Sequence, residues 1–182
     1  MNVPEYTTKR LSFGPGVLYL GAAGATPSSD IGAVKTGAVL TITRDKLEVK
    51  QGSPAQLIQQ WVISESVKLE VHGMEWNLEN LKYAIGAGII KTVSGGKTLE
   101  LGGTMSIEEC ALEFVHQMPA GGTVIVDIWK AQAGGEIAIT FGDDPHEFPY
   151  VFMGLNATTD WAGNPLESGA QLCKITLLGD FT

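Results

Sequence analysis

Between Leu57 and Gly73 the chain holds a two-residue rhythm longer than any other pattern in it. Trp61, Ile63, Val67, Leu69 and Val71 fall on odd positions, while Ser64, Ser66, Lys68, Glu70 and His72 fall on even ones. Glu65 breaks the pattern once. Successive strand side chains point to opposite faces, so the stretch predicts a strand with one apolar and one wet face. Strands commonly run about five or six residues. One this long suits a sheet running through a barrel or tube wall, and the pattern places Trp61 in the apolar register.

The rest of the chain is punctuated for a β-rich fold. Residues 1–15 read as an extended arm, GVLYLG (16–21) as a short glycine-bounded strand, and 22–33 as a small-residue loop. Val39–Thr43 resumes strand character with β-branched residues. One helix is expected after Asn77, a good N-cap, with Met74, Leu78, Leu81 and Ile85 as its apolar stripe and Gly86 as its stop. Residues 86–97 read as a connection with a turn at Ser94-Gly95-Gly96. Further strands are expected over 98–105, 109–117, 123–130 and 171–178, with alternation at Ile137, Ile139, Phe141 and at Phe148, Tyr150, Phe152. No repeat or composition break divides the 182 residues, so a single mainly β domain of sandwich or barrel-like form with one α-helix is expected.

Composition narrows the function. Charged residues are 18% of the chain, against about a quarter in ordinary soluble domains, which fits surface hidden in subunit contacts. With 12 basic and 20 acidic residues the net charge is −8, the wrong sign for gripping phosphates. The same sign suits a surface that nucleic acid slides past without sticking. Cys110 and Cys173 are too few for a disulfide scaffold and read as reduced thiols. The first residues lack the apolar core of a signal peptide, and no run approaches the roughly 18 residues of a membrane span. Asn156-Ala157-Thr158 is then a chance sequon.

Catalytic patterns are incomplete. Gly95-Gly96-Lys97-Thr98 lacks the upstream glycine of a phosphate loop, because Lys91 stands there, and reads as a turn. Gly86-Ala87-Gly88 follows a helix instead of preceding one. Asp143, Asp144, His146 and Glu147 crowd hard ligands around Pro145, which favours an acidic surface turn. His72, His116 and His146 are scattered, and Glu113 and Asp127 are one carboxylate pair among many. No catalytic residue, cofactor or metal ligand is nominated. Trp61 and Trp76 read as core, and Trp161 as the tryptophan with most exposure.

In the order of its elements the chain resembles the major tail tube proteins of long, flexible-tailed bacteriophages. The resemblance is carried by GVLYLG, then IGAVKTGAVLTIT, then DKLEVKQGSPAQLIQQWVISESVKLEVHGMEWNLENLKYAIGAG, and by the closing EIAITFGDDPHEFPYVFMGLNATTDWAGNPLESGAQLCKITLLGDF. It implies a tail tube fold whose strands join an oligomeric inner β-barrel, hexameric rings stacked into a tube, and ejection of DNA through the lumen. It also implies tape-measure, tail terminator and baseplate proteins as partners, and a place in the virion tail after synthesis in the host cytoplasm. The family's ring-stacking loop corresponds to residues 44–58, with Arg44, Asp45, Lys46, Glu48 and Lys50 as contact residues. The wet side of the long strand, Ser64, Ser66, Lys68 and Glu70, is assigned to the lumen. The same fold serves contractile tails and a secretion system. A β-sandwich binding module of carbohydrate or adhesin type is the competing class, resting on the tryptophans.

Overall fold

The computed structural model describes residues 14–35, 37–119, 121–143 and 146–179. Most of the expected N-terminal arm therefore lies outside the described residues, as do Asp144 and Pro145. In chain order the elements are β1 (Val17–Ala22), β2 (Ser29–Asp30), β3 (Val39–Gln51), β4 (Gln56–Gly73), α1 (Leu78–Ile85), β5 (Ile89–Val93), β6 (Gly96–Glu100), β7 (Glu109–Gln117), β8 (Thr123–Ala133), β9 (Phe148–Gly154) and β10 (Lys174–Leu178). The protein is mainly β with one helix.

The large sheet runs β2-β1-β7-β8-β9-β4-β3, with β10 also paired to β8, and β5–β6 form a separate hairpin. Its pairings are antiparallel. Leu18 and Leu20 of β1, Leu112 of β7, Ile128 of β8, Leu69 and Val71 of β4, and Phe148, Tyr150 and Phe152 of β9 are buried in one cluster. Strands far apart in the sheet order thus share one core, which requires the sheet to curl over its inner face. Leu81 and Ala84 of α1 join the same cluster.

The helix forms where its caps dictate. Asn77 Oδ1 accepts from the backbone N–H of Glu79 (2.9 Å) and Asn80 (3.3 Å). Gly86, at φ 73°, donates its N–H to the Lys82 and Tyr83 carbonyls. The left-handed conformation there costs glycine little. Asn80, fully buried, donates to the Asp30 carbonyl and accepts from Ser29 Oγ, which ties β2 to the helix. Asn77→Ala is expected to lower stability by about 1 kcal/mol, read from the urea midpoint.

Several expected elements shift. The connection at 86–97 contains β5, and the turn at Ser94-Gly95 closes a β5–β6 hairpin. The strand expected over 98–105 is β6, Gly96–Glu100, and the closing strand begins at Lys174. Ile137 and Ile139 pack against the core, yet 137–141 form no strand, because their backbone meets no partner strand. Side-chain alternation records a buried face and not a hydrogen-bonding neighbour.

Candidate functional site

The longest strands build an arm that projects from the body. β9 pairs with β4 only over residues 68–73, so among the described residues β3 is the sole partner of β4 from Gln56 to Val67. At roughly 3.3 Å per residue this overhang extends about 40 Å. From Gln56 to Glu65 both its faces meet solvent in the isolated chain. Leu47, Leu57, Ile58, Trp61 and Ile63 are each half or more exposed, with Ile63 at 64%.

This geometry corrects the expected loop over 44–58. Arg44, Asp45, Lys46, Glu48 and Lys50 lie within β3, and the turn occupies only 52–55. Charge density suggested a loop, but Leu47 and Val49 alternate with Lys46, Glu48 and Lys50, which is strand periodicity. Pairing satisfies the charges in place. Arg44 Nε lies 2.7 Å from Glu65 across the ladder, and Lys50 Nζ lies 2.7 Å from Glu48. Gln60 donates to Glu48 at 3.0 Å. The Lys50 contact, ahead of any other influence, holds the Glu48 carboxyl below its ordinary range.

A β-bulge then divides the arm. Asp45 opposes Ser64 but Lys46 opposes Val62, so Ile63 is the extra residue on β4. From there to a second register shift between Val49 and Lys50, where Ile58 is the extra residue, the parity of β4 is reversed. Trp61 opposes Leu47 and lies on the same face as Ser64 and Asp45, not with buried Val67 and Leu69. That overturns its core assignment: Trp61 is 51% exposed. On the outer face Thr41, Thr43, Asp45, Ser64, Ser66 and Lys68 near the body give way to Leu47, Val49 and Trp61 toward the tip. On the inner face Leu40 and Ile42 give way to Lys46, Glu48 and Lys50 of β3, opposed on β4 by Val62, Gln60 and Leu57. The apolar residues of β3 thus change face along the arm.

The residues assigned to the lumen are brought together on that wet outer face. Ser64 Oγ donates to Asp45 Oδ2 at 2.6 Å, and Lys68 Nζ lies 3.2 Å from Glu70. His72 continues the row, 3.5 Å from Glu70 and 3.4 Å from Glu147, which also pairs with Lys35. Lys68 is the main cause lowering the Glu70 carboxyl, and Lys35 the main cause lowering that of Glu147. The five ring-stacking candidates are instead split, with Asp45 on one face and Arg44, Lys46, Glu48 and Lys50 on the other.

At the root of the arm lies an open cleft of about 800 Å³, bounded by Ile42, Val62 and Ile63 on one side and by Leu172, Cys173 and Ile175 on the other. Among the described residues β2, β3 and β10 each have a partner on only one side in the large sheet, and β3 presents the longest free edge. No family model matches the chain, and no curated protein is similar to it.

Other candidate chemistry is dispersed. Among the described residues no three His, Cys, Asp or Glu side chains converge as metal ligands. Trp76 is 54% exposed and sets its ring edge-on to Phe148 at 4.7 Å, with Phe141 stacked at 6.1 Å. Trp161, expected to be the most exposed tryptophan, is half-buried. It packs edge-to-face on Trp129 at 5.0 Å and donates its indole N–H to the Trp129 carbonyl. Cys110 and Cys173 are free thiols, and burial pushes Cys110 up to about 12. Among the described residues no helix is long and apolar enough to cross a membrane.

Proposed function

We propose that this chain is a non-enzymatic structural subunit that assembles with identical copies into stacked hexameric rings, forming a bacteriophage tail tube through which DNA is ejected. The observation that carries the reading is the projecting β3–β4 arm with its exposed apolar residues and unpartnered edges. Monomers seldom leave such a surface and a long strand edge uncovered. The free margins of β3 and β10 differ from one another. A contact joining one to the other is therefore head-to-tail, and head-to-tail contacts form rings where the rotation between copies closes.

In that assembly the bulge assigns the arm two tasks. Near the body, the apolar inner face and the root cleft receive the neighbour in the ring. The wet outer face, with Ser64, Ser66, Lys68 and Glu70, lines the lumen. Toward the tip, Leu47, Val49 and Trp61 contact a copy in the adjacent ring. An acidic chain of net charge −8 presents little to hold DNA in transit. Tape-measure, terminator and baseplate proteins at the tube ends, and location in the virion tail, belong to the same proposal, as does the tube of a contractile or secretion system as the variant assembly.

Negative-stain electron microscopy of purified protein is expected to show rings or tubes. In assembled fractions Cys173, at the root cleft, should resist alkylation that it undergoes in dilute monomer. Monodisperse monomer under every condition of concentration and salt would refute the assignment. The carbohydrate- or adhesin-type module is favoured by one observation, the exposed Trp76–Phe141 pair. That reading requires ligand-dependent fluorescence quenching lost in Trp76→Ala, with no assembly.

A further inference from the structure

A single polar row crosses five strands on the outer face of the sheet. Register sets Asp30 of β2 opposite Tyr19 of β1, Tyr19 opposite Glu113 of β7, Glu113 opposite Asp127 of β8, and Asp127 opposite Lys174 of β10. Directly opposed residues share a face, with Cβ atoms about 4.5–5.5 Å apart. Two carboxylates therefore face each other, flanked by a phenol on one side and an ammonium on the other.

Asp127 is deeply placed, only 6% exposed. Its Oδ2 lies 3.6 Å from Lys174 Nζ, while its Oδ1 is buried and has no hydrogen-bond partner among the described residues. Lys174 itself sits 5.9 Å from the Trp129 ring, whose indole N–H is taken by the Ala170 carbonyl. Lys174 thus pairs with Asp127. Like charges directly opposed across a ladder repel, and a buried acceptor left unmatched is costly.

A single proton answers both problems, since a protonated carboxyl gains an O–H donor. We propose that Glu113 and Asp127 hold one proton between them, carried by Glu113 and directed at Asp127 Oδ1, making the β7–β8–β10 junction a proton-linked latch. Asp127 keeps the charge because Lys174 faces it across the β8–β10 ladder. Burial, then the Asp127 charge, pushes the Glu113 carboxyl up. Burial likewise pushes Asp127 up, with Lys174 pulling against it. The pair titrates as a unit. The folded state binds this proton more tightly than the unfolded chain does. Its stabilisation is complete below the ordinary carboxylate range and is lost as pH rises through the raised value of the folded pair.

The melting temperature of the wild type should fall by on the order of 2–4 °C as pH rises through the raised value of the pair. Glu113→Gln, which retains a donor without a charge, should lose most of that slope and melt higher at pH 8. Lys174→Met, an exposed change, should move the transition to higher pH. Infrared titration of the wild type, in any state of assembly, should show a protonated carboxyl persisting above the pH at which the exposed acids ionise, and Glu113→Gln should lack it. The proposal fails if all carboxyl intensity disappears within the ordinary range, or if Glu113→Gln retains the full pH slope. The wild-type titration decides the matter even if a variant does not fold.

Discussion

Replacing residues 46–63 with an Asn-Gly turn is expected to leave a folded monomer that forms no tubes. The cut falls at the bulge, so that Asp45 and Ser64, which oppose each other, flank the new turn as a two-residue hairpin requires. Everything removed is exposed in the free chain, including Leu47, Leu57 and Trp61, so the core that holds β4 to β9 is untouched. Changes outside buried features generally stay within about 0.5 kcal/mol, so circular dichroism and the urea midpoint should barely move. Assembly should disappear, because the apolar tip proposed to meet the next copy is gone. The double variant Leu47→Asp, Trp61→Asp should reproduce the defect through charge alone. Sedimentation velocity and negative-stain images measure both. Tubes formed by the shortened protein would remove the arm from the assembly mechanism.

Phe152→Ala carries the largest expected loss of stability, about 3–5 kcal/mol. Phe152 is fully buried, opposes Leu69 on β4 and Ala133 on β8, and so sits where three strands meet over the core. Truncation leaves a cavity between strands that cannot close without shifting the ladder. Single domains are stable by only about 5–15 kcal/mol, so the variant should unfold at much lower denaturant or fail to accumulate. Guanidinium unfolding followed by tryptophan fluorescence is the measurement. A cost below about 1 kcal/mol would mean that the β4–β9 junction is not the centre of the core.

These two results would separate what the arm does from what the core does, a distinction the residue pattern shows only in part. Val67, Leu69 and Val71 announce a half-buried strand, and Asn77 and Gly86 announce the helix limits, because each reflects a local rule: alternation, capping and the freedom of glycine at φ 73°. The strand character of Lys46–Lys50 was also legible, in the placing of Leu47 and Val49, though the charges obscured it. Trp61 was not legible. Its parity matches Val67, and only the additional residue Ile63 in the β3–β4 ladder turns it to the other face.

By itself the sequence determined a mainly β chain with one capped helix, a long amphipathic strand and an acidic surface, since periodicity, caps and charge are properties of near neighbours. Tertiary structure alone decided that β4 outruns β9, that a bulge exchanges the two faces of the arm, and that Glu113 faces Asp127. Those facts depend on which distant strands lie side by side and in what register, and register is set by how the whole core packs.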